Sequence, residues 1–375
     1  MAVDCEKGMK VVLREGEVRI PSGCAISGIF HKDGQRENGS NIIAGIATMH
    51  ERSNGLGGGF AGYGIYPEHK NQIAFHVFYD SIEAQHACEA KLKECFEIIA
   101  SGTLPTRPVP SIQDAPGLMR YFADCKPQVL LESKLDEGEF VARFVTRINR
   151  EIEGAYVFSC GKNMGVFKAV GYPEDVGEFF RLDQYEGYAW TAHGRYPTNT
   201  PGWWGGAHPF SLLDFSIVHN GEISSYDANR RFIEMFGYHC SLLTDTEVIT
   251  YIIDFLVRRK GLTLKETASI IAAPFWSTIE SKSQAERDRL SYLREQFSSL
   301  LITGPFSILL GFSGGMMALN DRLKLRSMVC AHKGETVYFA SEECSIRAME
   351  PDAQGVWAPK GGEAVIVTLN EGVEV

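Results

Sequence analysis

A glycine-rich run, residues 55–64, has the spacing that binds a dinucleotide in other proteins. Gly57, Gly59 and Gly62 match G-x-G-x-x-G, and an acidic residue, Asp80, follows further along the chain. The context does not fit, because a helical pattern precedes the run where a strand is needed, and Pro67 follows where a long helix should continue. Two other interpretations stay open: a loop whose glycines let backbones pack closely, or a backbone surface around a small substrate.

Several reactive or charged side chains have ordinary structural explanations when each is taken alone. Cys24 begins the short apolar segment 24–30 and would be a buried thiol in a strand. Arg195, within Gly194-Arg-Tyr-Pro-Thr-Asn-Thr200, would be a solvated or ion-paired arginine. His208, within Ala-His-Pro-Phe, would be a loop histidine with its hydrogen bonds satisfied. No single one of these residues identifies a function.

Two four-residue motifs predict local structure. His219-Asn-Gly-Glu222 lies between apolar residues, and Asn-Gly in that setting predicts a type I′ hairpin turn. Thr244-Asp-Thr-Glu247 precedes the apolar run Val-Ile-Thr-Tyr-Ile-Ile, and this spacing predicts a capping box at the start of a helix. Both motifs are therefore structural unless other residues join them.

Composition excludes several classes of protein. The 375 residues carry a formal net charge of −10, which argues against a surface for nucleic acid or anionic lipid. The nine cysteines form no C-x-x-C pair, and an odd number without a framework is typical of a reducing compartment, so no metal site is expected. The N-terminal segment has no apolar core of a secretory signal, and residues 300–319 are too interrupted for a membrane span. We expect a cytoplasmic protein without nucleic-acid or membrane partners.

Hydrophobic periodicity predicts strands, then helices, then strands, rather than regular βαβ units. This order favours an α+β fold with two antiparallel sheets and helices outside them. The predicted strands are 24–30, 71–79, 140–148, 155–160, 165–170, 188–193, 215–219, 306–312, 315–319, 328–331, 335–340 and 363–369. The predicted helices are 42–52, 81–100, 227–237, 245–259, 264–272 and 276–297.

Read in order, these segments resemble the class II glutamine amidotransferases. The resemblance rests on Cys24, Arg195-Tyr-Pro-Thr-Asn199, Ala207-His-Pro-Phe210, Val218-His-Asn-Gly-Glu-Ile223, Thr244-Asp-Thr-Glu-Val-Ile249, Val337-Tyr-Phe-Ala-Ser-Glu342 and Gly361-Gly-Glu-Ala-Val-Ile366. Asp321-Arg-Leu-Lys-Leu-Arg326 is similar to a segment of glutamate synthases. The chain most resembles the stand-alone amidotransferase subunit of archaeal-type glutamate synthases and N-methylglutamate synthases.

The resemblance implies a four-layer αββα sandwich of the N-terminal-nucleophile hydrolases. In that family the nucleophilic cysteine is the first residue of the mature protein, and its α-amine is the base. Residues 1–23 are then a candidate propeptide and residues 24–375 the amidotransferase domain. Gly23 has no side chain to hinder attack by the Cys24 thiol on the preceding carbonyl, so self-processing is plausible.

The resemblance also assigns roles to the other motif residues. Cys24 would be the nucleophile, with the Asn220 side-chain amide and the Gly221 backbone N–H as the oxyanion donors. Arg195 would bind the glutamine carboxylate through its two-point guanidinium contact, and Asp245 would bind the ammonium. The residues expected to line the pocket beside them are Tyr196, Thr198 and Asn199.

The expected function is hydrolysis of L-glutamine to glutamate, with ammonia passed to a glutamate-synthase-like partner. We expect no cofactor in this chain, whereas FMN and an Fe–S cluster are expected in the partner subunits. Two alternatives stay open: an unprocessed, catalytically silent regulatory or assembly subunit, and a stand-alone amide hydrolase on the same fold. Residues 55–64 and the segment around Trp203-Trp204 are the candidate loops that close over the site.

Overall fold

The computed structural model describes residues 2–4, 10–12, 23–197 and 202–375. Its strands in chain order are β1 Ala2–Asp4, β2 Lys10–Val12, β3 Ala25–His31, β4 Glu37–Asn38, β5 Gly58–Tyr63, β6 Ile73–Tyr79, β7 Phe96–Thr103, β8 Gly117–Cys125, β9 Ala155–Lys162, β10 Met164–Ala169, β11 Glu186–Gly187, β12 Ala189–Gly194, β13 Phe210–Leu212, β14 Phe215–Gly221, β15 Phe306–Phe312, β16 Gly315–Asn320, β17 Val329–Lys333, β18 Thr336–Ala340, β19 Gln354–Trp357 and β20 Ala364–Thr368.

The α-helices are α1 Ser40–Ala47, α2 Ile82–Cys95, α3 Pro127–Ser133, α4 Glu137–Glu151, α5 Pro173–Phe179, α6 Tyr226–Glu234, α7 Asp245–Asp254, α8 Leu264–Ile271, α9 Trp276–Glu280, α10 Gln284–Gln296 and α11 Glu343–Met349. Short 3₁₀ turns lie at His50–Arg52, Pro67–His69, Leu182–Gln184, Trp204–Gly206 and Ser298–Leu300, and a π turn, Phe255–Arg259, follows α7. In the described part of the chain, no helix is long and apolar enough to cross a membrane.

Two antiparallel layers form the centre of the molecule. One is a seven-stranded sheet in the order β10-β5-β12-β3-β18-β17-β19, and the other contains a five-stranded sheet in the order β13-β14-β15-β16-β20. The two sheets pack closely at Gly28, where an added Cβ would lie 3.0 Å from Leu309 and 3.1 Å from Met316. A hydrogen bond of 2.7 Å between the Tyr63 and Ser216 hydroxyls also joins them.

A four-stranded sheet, β7-β8-β6-β9, adjoins the five-stranded sheet at the edge strands β9 and β13. There Ser211 Oγ donates to the carbonyl of Phe158 at 2.9 Å. Helices α1, α5 and α11 pack on the seven-stranded sheet, and α2, α4, α7 and α8 pack on the other layer. The predicted four-layer αββα sandwich is confirmed.

Strand β15 shows why the sandwich needs helices outside it. Side chains alternate between the faces of a strand, so Leu309 packs towards the seven-stranded sheet, whereas Ile308 and Leu310 pack into a second core with apolar residues of α4 and α7. Both faces of β15 are buried. The predicted strands between 306 and 369 are confirmed, with small shifts at their ends.

The prediction of a strand at 140–148 was wrong, because these residues lie in α4. Val141, Val145 and Ile148 are buried on one side of this helix, which is a helical period. Asp136 begins the helix by accepting from the backbone N–H of Glu139. The helix predicted at 81–100 ends at Cys95, and β8 was not predicted.

The glycine-rich run is part of a central strand. β5 lies between β10 and β12, and a side chain on Gly59 would collide with the carbonyl oxygens of His208 and Phe167. A Cβ on Gly62 would lie 2.6 Å from the Trp190 ring. The predicted close packing of the glycines is confirmed, but it occurs in a strand and not in a loop. The prediction that 55–64 is a closing loop was wrong for the strand residues.

The predicted hairpin turn at 219–222 was also wrong. His219, Asn220 and Gly221 continue β14 and pair with Ile308, Ser307 and Phe306 of β15. Gly221 has a φ of +155°, and a side chain there would collide with the carbonyl of Pro305. The glycine is required by this close approach and not by a turn.

The helix predicted after Thr244 does begin at Asp245, but the capping box does not form. The Thr244 side chain makes no capping hydrogen bond. The carboxylate of Glu247 instead accepts from the backbone N–H groups of Ser241 at 3.2 Å and Leu242 at 2.9 Å. Glu247 therefore fixes the segment before the helix, which forms one wall of the cavity described below.

Candidate active site

A cavity of about 690 Å³ brings together residues from distant parts of the sequence. Its lining includes Cys24, Arg195, Tyr196, Gly221 and Asp245 among the predicted site residues. The rest of the lining is Pro197, Trp203, His208, His219, Glu222, Ile223, Tyr226, Ser241, Leu242, Leu243 and Thr244. Asn220 is fully buried beside it. Thr198 and Asn199 lie outside the described residues.

Cys24 lies immediately before β3, and strand pairing sets its neighbours. Ala25 pairs with Gly194 of β12, so the chain leaving β12 passes the thiol. The backbone N–H of Tyr196 donates to Cys24 Sγ at 3.4 Å. Burial raises the pKa of the Cys24 thiol, while the Tyr196 N–H and the Arg195 charge oppose that rise. Since the net shift is upwards, a base must take the thiol proton before Cys24 can attack.

The side chain of Asn220 is linked by hydrogen bonds, through Ser341, to β3, the strand that follows Cys24. Its Nδ2 donates to Ser341 Oγ at 3.2 Å, and Ser341 Oγ also accepts from the backbone N–H of Ile26 at 3.1 Å. An amide nitrogen carries two hydrogens, so this contact leaves one for another acceptor. Ser341 was not predicted as a site residue, although it lies in the C-terminal segment that supported the family resemblance.

The segment before β5 holds the backbone of Arg195. The N–H of Arg195 donates to Gly57 O at 2.8 Å, and Ser53 Oγ donates to Arg195 O at 3.0 Å. The side chain is buried, which lowers the pKa of the guanidinium, while Cys24 and Asp245 oppose that change. The segment 53–57 is therefore an anchor for Arg195.

Asp245 is the first residue of α7 and lies on the cavity wall. Its Oδ2 accepts from the backbone N–H of Ile223 at 3.0 Å, and its Oδ1 lies 3.4 Å from His219 Nδ1 and 3.3 Å from Thr246 Oγ1. Burial would raise the pKa of the Asp245 carboxyl, but His219, the Ile223 N–H and Thr246 together lower it. The carboxylate is thus held charged in the cavity that also receives Arg195.

Two buried histidines contact Thr246 and a third packs against them, an arrangement that sequence reasoning missed. His208 Nε2 lies 2.6 Å and His219 Nδ1 3.1 Å from Thr246 Oγ1. His193 Nε2 donates to His219 O at 2.8 Å, and the His193 and His208 rings stack 4.0 Å apart. Burial lowers the pKa of His193 to about 3 and that of His208 well below its usual value. These two rings are therefore neutral supports.

A buried lysine and a buried glutamate lie behind the cavity. Lys168, only 1% exposed, donates from Nζ to the carbonyl of Gly205 at 2.9 Å. Burial lowers the pKa of Lys168 to about 7, helped by the nearby charge of Arg195. Burial raises the pKa of Glu247 to about 7, against the N–H groups of Leu242 and Ser241.

Lys168 should make stability depend on pH. Its pKa is about 7 in the folded chain and about 10.4 in the unfolded chain, so the unfolded state binds more protons between these values. The stability of the wild type should therefore rise as the pH rises through this window. Lys168→Met should remove that rise, and its melting temperature relative to the wild type should fall steadily from pH 7 to pH 10.

Thermal unfolding at a series of pH values measures this difference. Lys162→Met is the matched control, because Lys162 is half-exposed and pairs with Glu137 at 2.6 Å. The difference in melting temperature between the control and the wild type should not change from pH 7 to pH 10. A Lys168→Met difference that does not change with pH would contradict the buried-amine assignment.

Comparison with known proteins finds one family whose sequence pattern matches part of this chain. Residues 67–242 match the model of the family described as class-II glutamine amidotransferases. The matched span contains Arg195, Asn220 and Gly221 and begins after Cys24. Over this span, just under half of its length, the chain is similar to the class II glutamine amidotransferases.

Three relatives show what the chain is similar to over longer spans. An uncharacterized protein of Archaeoglobus fulgidus is 44% identical over 97% of this chain and 96% of its own length. A putative glutamine amidotransferase of Methanothermobacter thermautotrophicus is 24% identical, over 86% of this chain and 93% of its own length. An amidophosphoribosyltransferase of Methanocaldococcus jannaschii is 27% identical over 60% of this chain, and the match spans only 42% of that protein.

Proposed function

We propose that this chain hydrolyses L-glutamine to glutamate with Cys24 as the nucleophile and delivers the ammonia to a partner synthase. The observation that carries the proposal is the convergence of Cys24, Arg195 and Asp245 on one cavity of about 690 Å³. Glutamine presents a carboxylate, an ammonium and a carboxamide. Arg195, Asp245 and Cys24 provide a chemical counterpart for each of these groups.

The reaction takes place in two halves. The Cys24 thiolate adds to the carboxamide carbon and forms a tetrahedral oxyanion, which Asn220 Nδ2–H and the Gly221 N–H stabilise. The intermediate collapses as the leaving nitrogen takes a proton, so that ammonia departs and a thioester remains. Water then adds to the thioester, glutamate departs, and the thiol takes back its proton.

The base in this scheme is the α-amine of Cys24 itself. Burial raises the pKa of the Cys24 thiol, so attack requires a neighbouring proton acceptor. Removal of residues 1–23 would free that amine within reach of the thiol. The proposal therefore treats residues 1–23 as a propeptide and residues 24–375 as the mature domain.

The geometry around Gly23 supports cleavage after this residue. Gly23 has a φ of +106°, a conformation that favours glycine. An added Cβ would lie 3.3 Å from Arg326 Nη1 and 3.6 Å from Arg52 Nη2, and Arg52 Nε also donates to Cys24 O at 3.1 Å. Two guanidinium groups thus lie close to Gly23, and one of them already binds the carbonyl of Cys24.

N-terminal sequencing of the purified protein separates this proposal from a silent regulatory or assembly subunit. Cys24 as the first residue supports the enzyme, whereas Met1 or Ala2 as the first residue supports the silent subunit. The other alternative, a stand-alone amide hydrolase, is disfavoured by Arg195 and Asp245. Together these two charges suit a free amino acid.

We further propose that the acceptor of ammonia is a glutamate-synthase-like complex with FMN and Fe–S clusters in its other subunits. A second cavity of about 1050 Å³ shares Trp203, Ser241 and Leu242 with the glutamine cavity. Ammonia released into water near neutral pH would be protonated and lose its nucleophilicity. A second cavity with a common wall is a suitable place for the partner to receive it.

Trp203 is the candidate gate between the two cavities. It is exposed, and its ring covers Gly205 and Gly206, where an added Cβ on Gly206 would lie 2.7 Å from Trp203 Nε1. Movement of this ring would open or close the common wall.

The isolated chain should hydrolyse glutamine slowly, and the partner with its acceptor should stimulate it. We expect at least roughly tenfold stimulation, equivalent to about 1.4 kcal/mol in the barrier. The measurement compares glutamine turnover by the purified chain with turnover by the reconstituted complex. Equal rates, with no complex by size exclusion, would contradict the partner proposal and favour a stand-alone glutaminase.

A further inference from the structure

His219 lies between two parts of the candidate site and has no role in the mechanism above. The residue is 2% exposed and lines the glutamine cavity. Its Nδ1 faces Asp245 Oδ1 at 3.4 Å and Thr246 Oγ1 at 3.1 Å. Its Nε2 has no hydrogen-bond partner among the described residues.

The hydrogen on this ring can be placed from its neighbours. An ionised carboxylate only accepts hydrogen bonds, and the pKa of the Asp245 carboxyl is lowered by its contact with His219. Nδ1 therefore carries the hydrogen that faces the carboxylate. The backbone that carries the ring is fixed in turn, because His219 pairs with Ile308 in the sheet and its carbonyl accepts from His193 at 2.8 Å.

The Asp245 carboxylate is thus oriented from two sides. The backbone N–H of Ile223 occupies Oδ2 at 3.0 Å, and His219 with Thr246 occupies the side of Oδ1. Carboxylate oxygens have further lone pairs, and these are left for a ligand in the cavity. The strand that carries His219 also carries Asn220 and Gly221, so one strand sets both the ammonium site and the oxyanion site.

We propose that His219 is a positioning residue that holds Asp245 in the orientation that receives the α-ammonium group of the substrate. The inference rests on the proposed function, since it takes glutamine as the substrate. It makes His219 a determinant of specificity for a free α-amino group. The residue acts through Asp245 and does not itself attack or protonate the amide.

Two substitutions of His219 distinguish its two nitrogens. His219→Asn places an amide nitrogen near the position of Nδ1, whereas His219→Gln places one near Nε2. The ligands are L-glutamine and glutaramate, which keeps the carboxylate and carboxamide but lacks the α-amino group. KM is measured for glutamine, and the inhibition constant is measured for glutaramate, so that a compound without turnover still reports binding.

His219→Gln should raise the KM for glutamine by roughly tenfold, the effect typical of losing a hydrogen bond to a charged group, and should change kcat less. His219→Asn should restore most of the affinity. Neither substitution should change the glutaramate constant by more than about twofold, because that ligand has no ammonium group for Asp245 to bind. In an Asp245→Asn background, His219→Gln should have little further effect.

Equal losses for glutamine and glutaramate would overturn the inference, since a general distortion of the cavity affects both ligands. Unchanged KM in His219→Gln would overturn it as well. Thr246→Val keeps the imidazole and removes the hydroxyl beside it. This variant should also raise the KM for glutamine and leave the inhibition constant of glutaramate nearly unchanged. It provides the comparison if His219→Gln does not fold. Absence of glutamine turnover in the processed wild type would contradict the proposed function itself, which is a different outcome.

Discussion

Replacing Cys24 by alanine should abolish glutamine hydrolysis. The variant loses the only atom in the cavity that the mechanism uses to form a covalent intermediate. The variant is expressed without residues 1–23, because it cannot process itself; Tyr196 N–H, Arg195 and Asp245 remain, so glutamine binding should survive while turnover falls to background. The measurement is glutamate release from glutamine by the wild type and the variant at matched concentration.

Cys344→Ala is the matched control for this substitution. Among the described free cysteines Cys344 is exposed, and its Sγ lies 3.8 Å from Glu342 Oε2, away from the lining of the glutamine cavity. The control should keep wild-type turnover. Unchanged turnover in Cys24→Ala would exclude the thiol mechanism.

Asn220→Ala should lower kcat by roughly 10²–10³-fold, or about 3–4 kcal/mol, with a much smaller change in KM. The side-chain amide contacts the developing oxyanion in the transition state and gains little from the planar carboxamide of bound glutamine. Ser341 accepts from the same amide at 3.2 Å. Ser341→Ala should therefore cause a smaller loss, since it removes only the group that orients Asn220.

Steady-state kinetics of both variants measure these effects. If Asn220→Ala raised KM without lowering kcat, its assignment as an oxyanion donor would be contradicted. A larger loss in Ser341→Ala than in Asn220→Ala would show that the orientation of β3, and not the amide, controls the rate.

The layers of the fold could be predicted from sequence because their strands are either apolar throughout, where both faces are buried, or alternate between apolar and polar residues, where one face is buried. The strands β15 and β16 are short and largely apolar, and the turn at Ser313 and Gly314 separates them. The segment 140–148 could not be separated from a strand by its apolar content alone. Helix α4 packs on β9, and Val141 and Ile148 are buried in the core that includes this strand. The sequence of the segment alone does not identify β9 as its partner.

Asn-Gly at 220–221 shows how tertiary contacts override a strong local signal. The glycine is needed in both interpretations, as a turn residue in one and as a close neighbour of Pro305 in the other. Local sequence does not contain the information on Pro305, which lies far along the chain. The same limit applies to Gly59, whose nearest contacts are backbone atoms of residues 167 and 208.

The candidate site was partly predictable for a related reason. Residues that would touch the substrate, such as Arg195 and Asp245, lie in motifs whose order along the chain supports the family resemblance. Residues that support them lack such a signal, because their partners come from other elements. His219 lies 3.4 Å from Asp245, and Ser341 accepts from Asn220 at 3.2 Å; both contacts join separate elements that meet only in the folded chain.

Labelling with 6-diazo-5-oxo-L-norleucine, followed by peptide mass spectrometry, tests the role of Cys24 most directly. This glutamine analogue carries an electrophile where glutamine carries its carboxamide. One adduct per chain is expected, on Cys24, in a peptide that begins with that residue, and excess glutamine should protect it. An adduct on a different cysteine, or full turnover by a protein in which Cys24 stays unlabelled, would contradict Cys24 as the nucleophile.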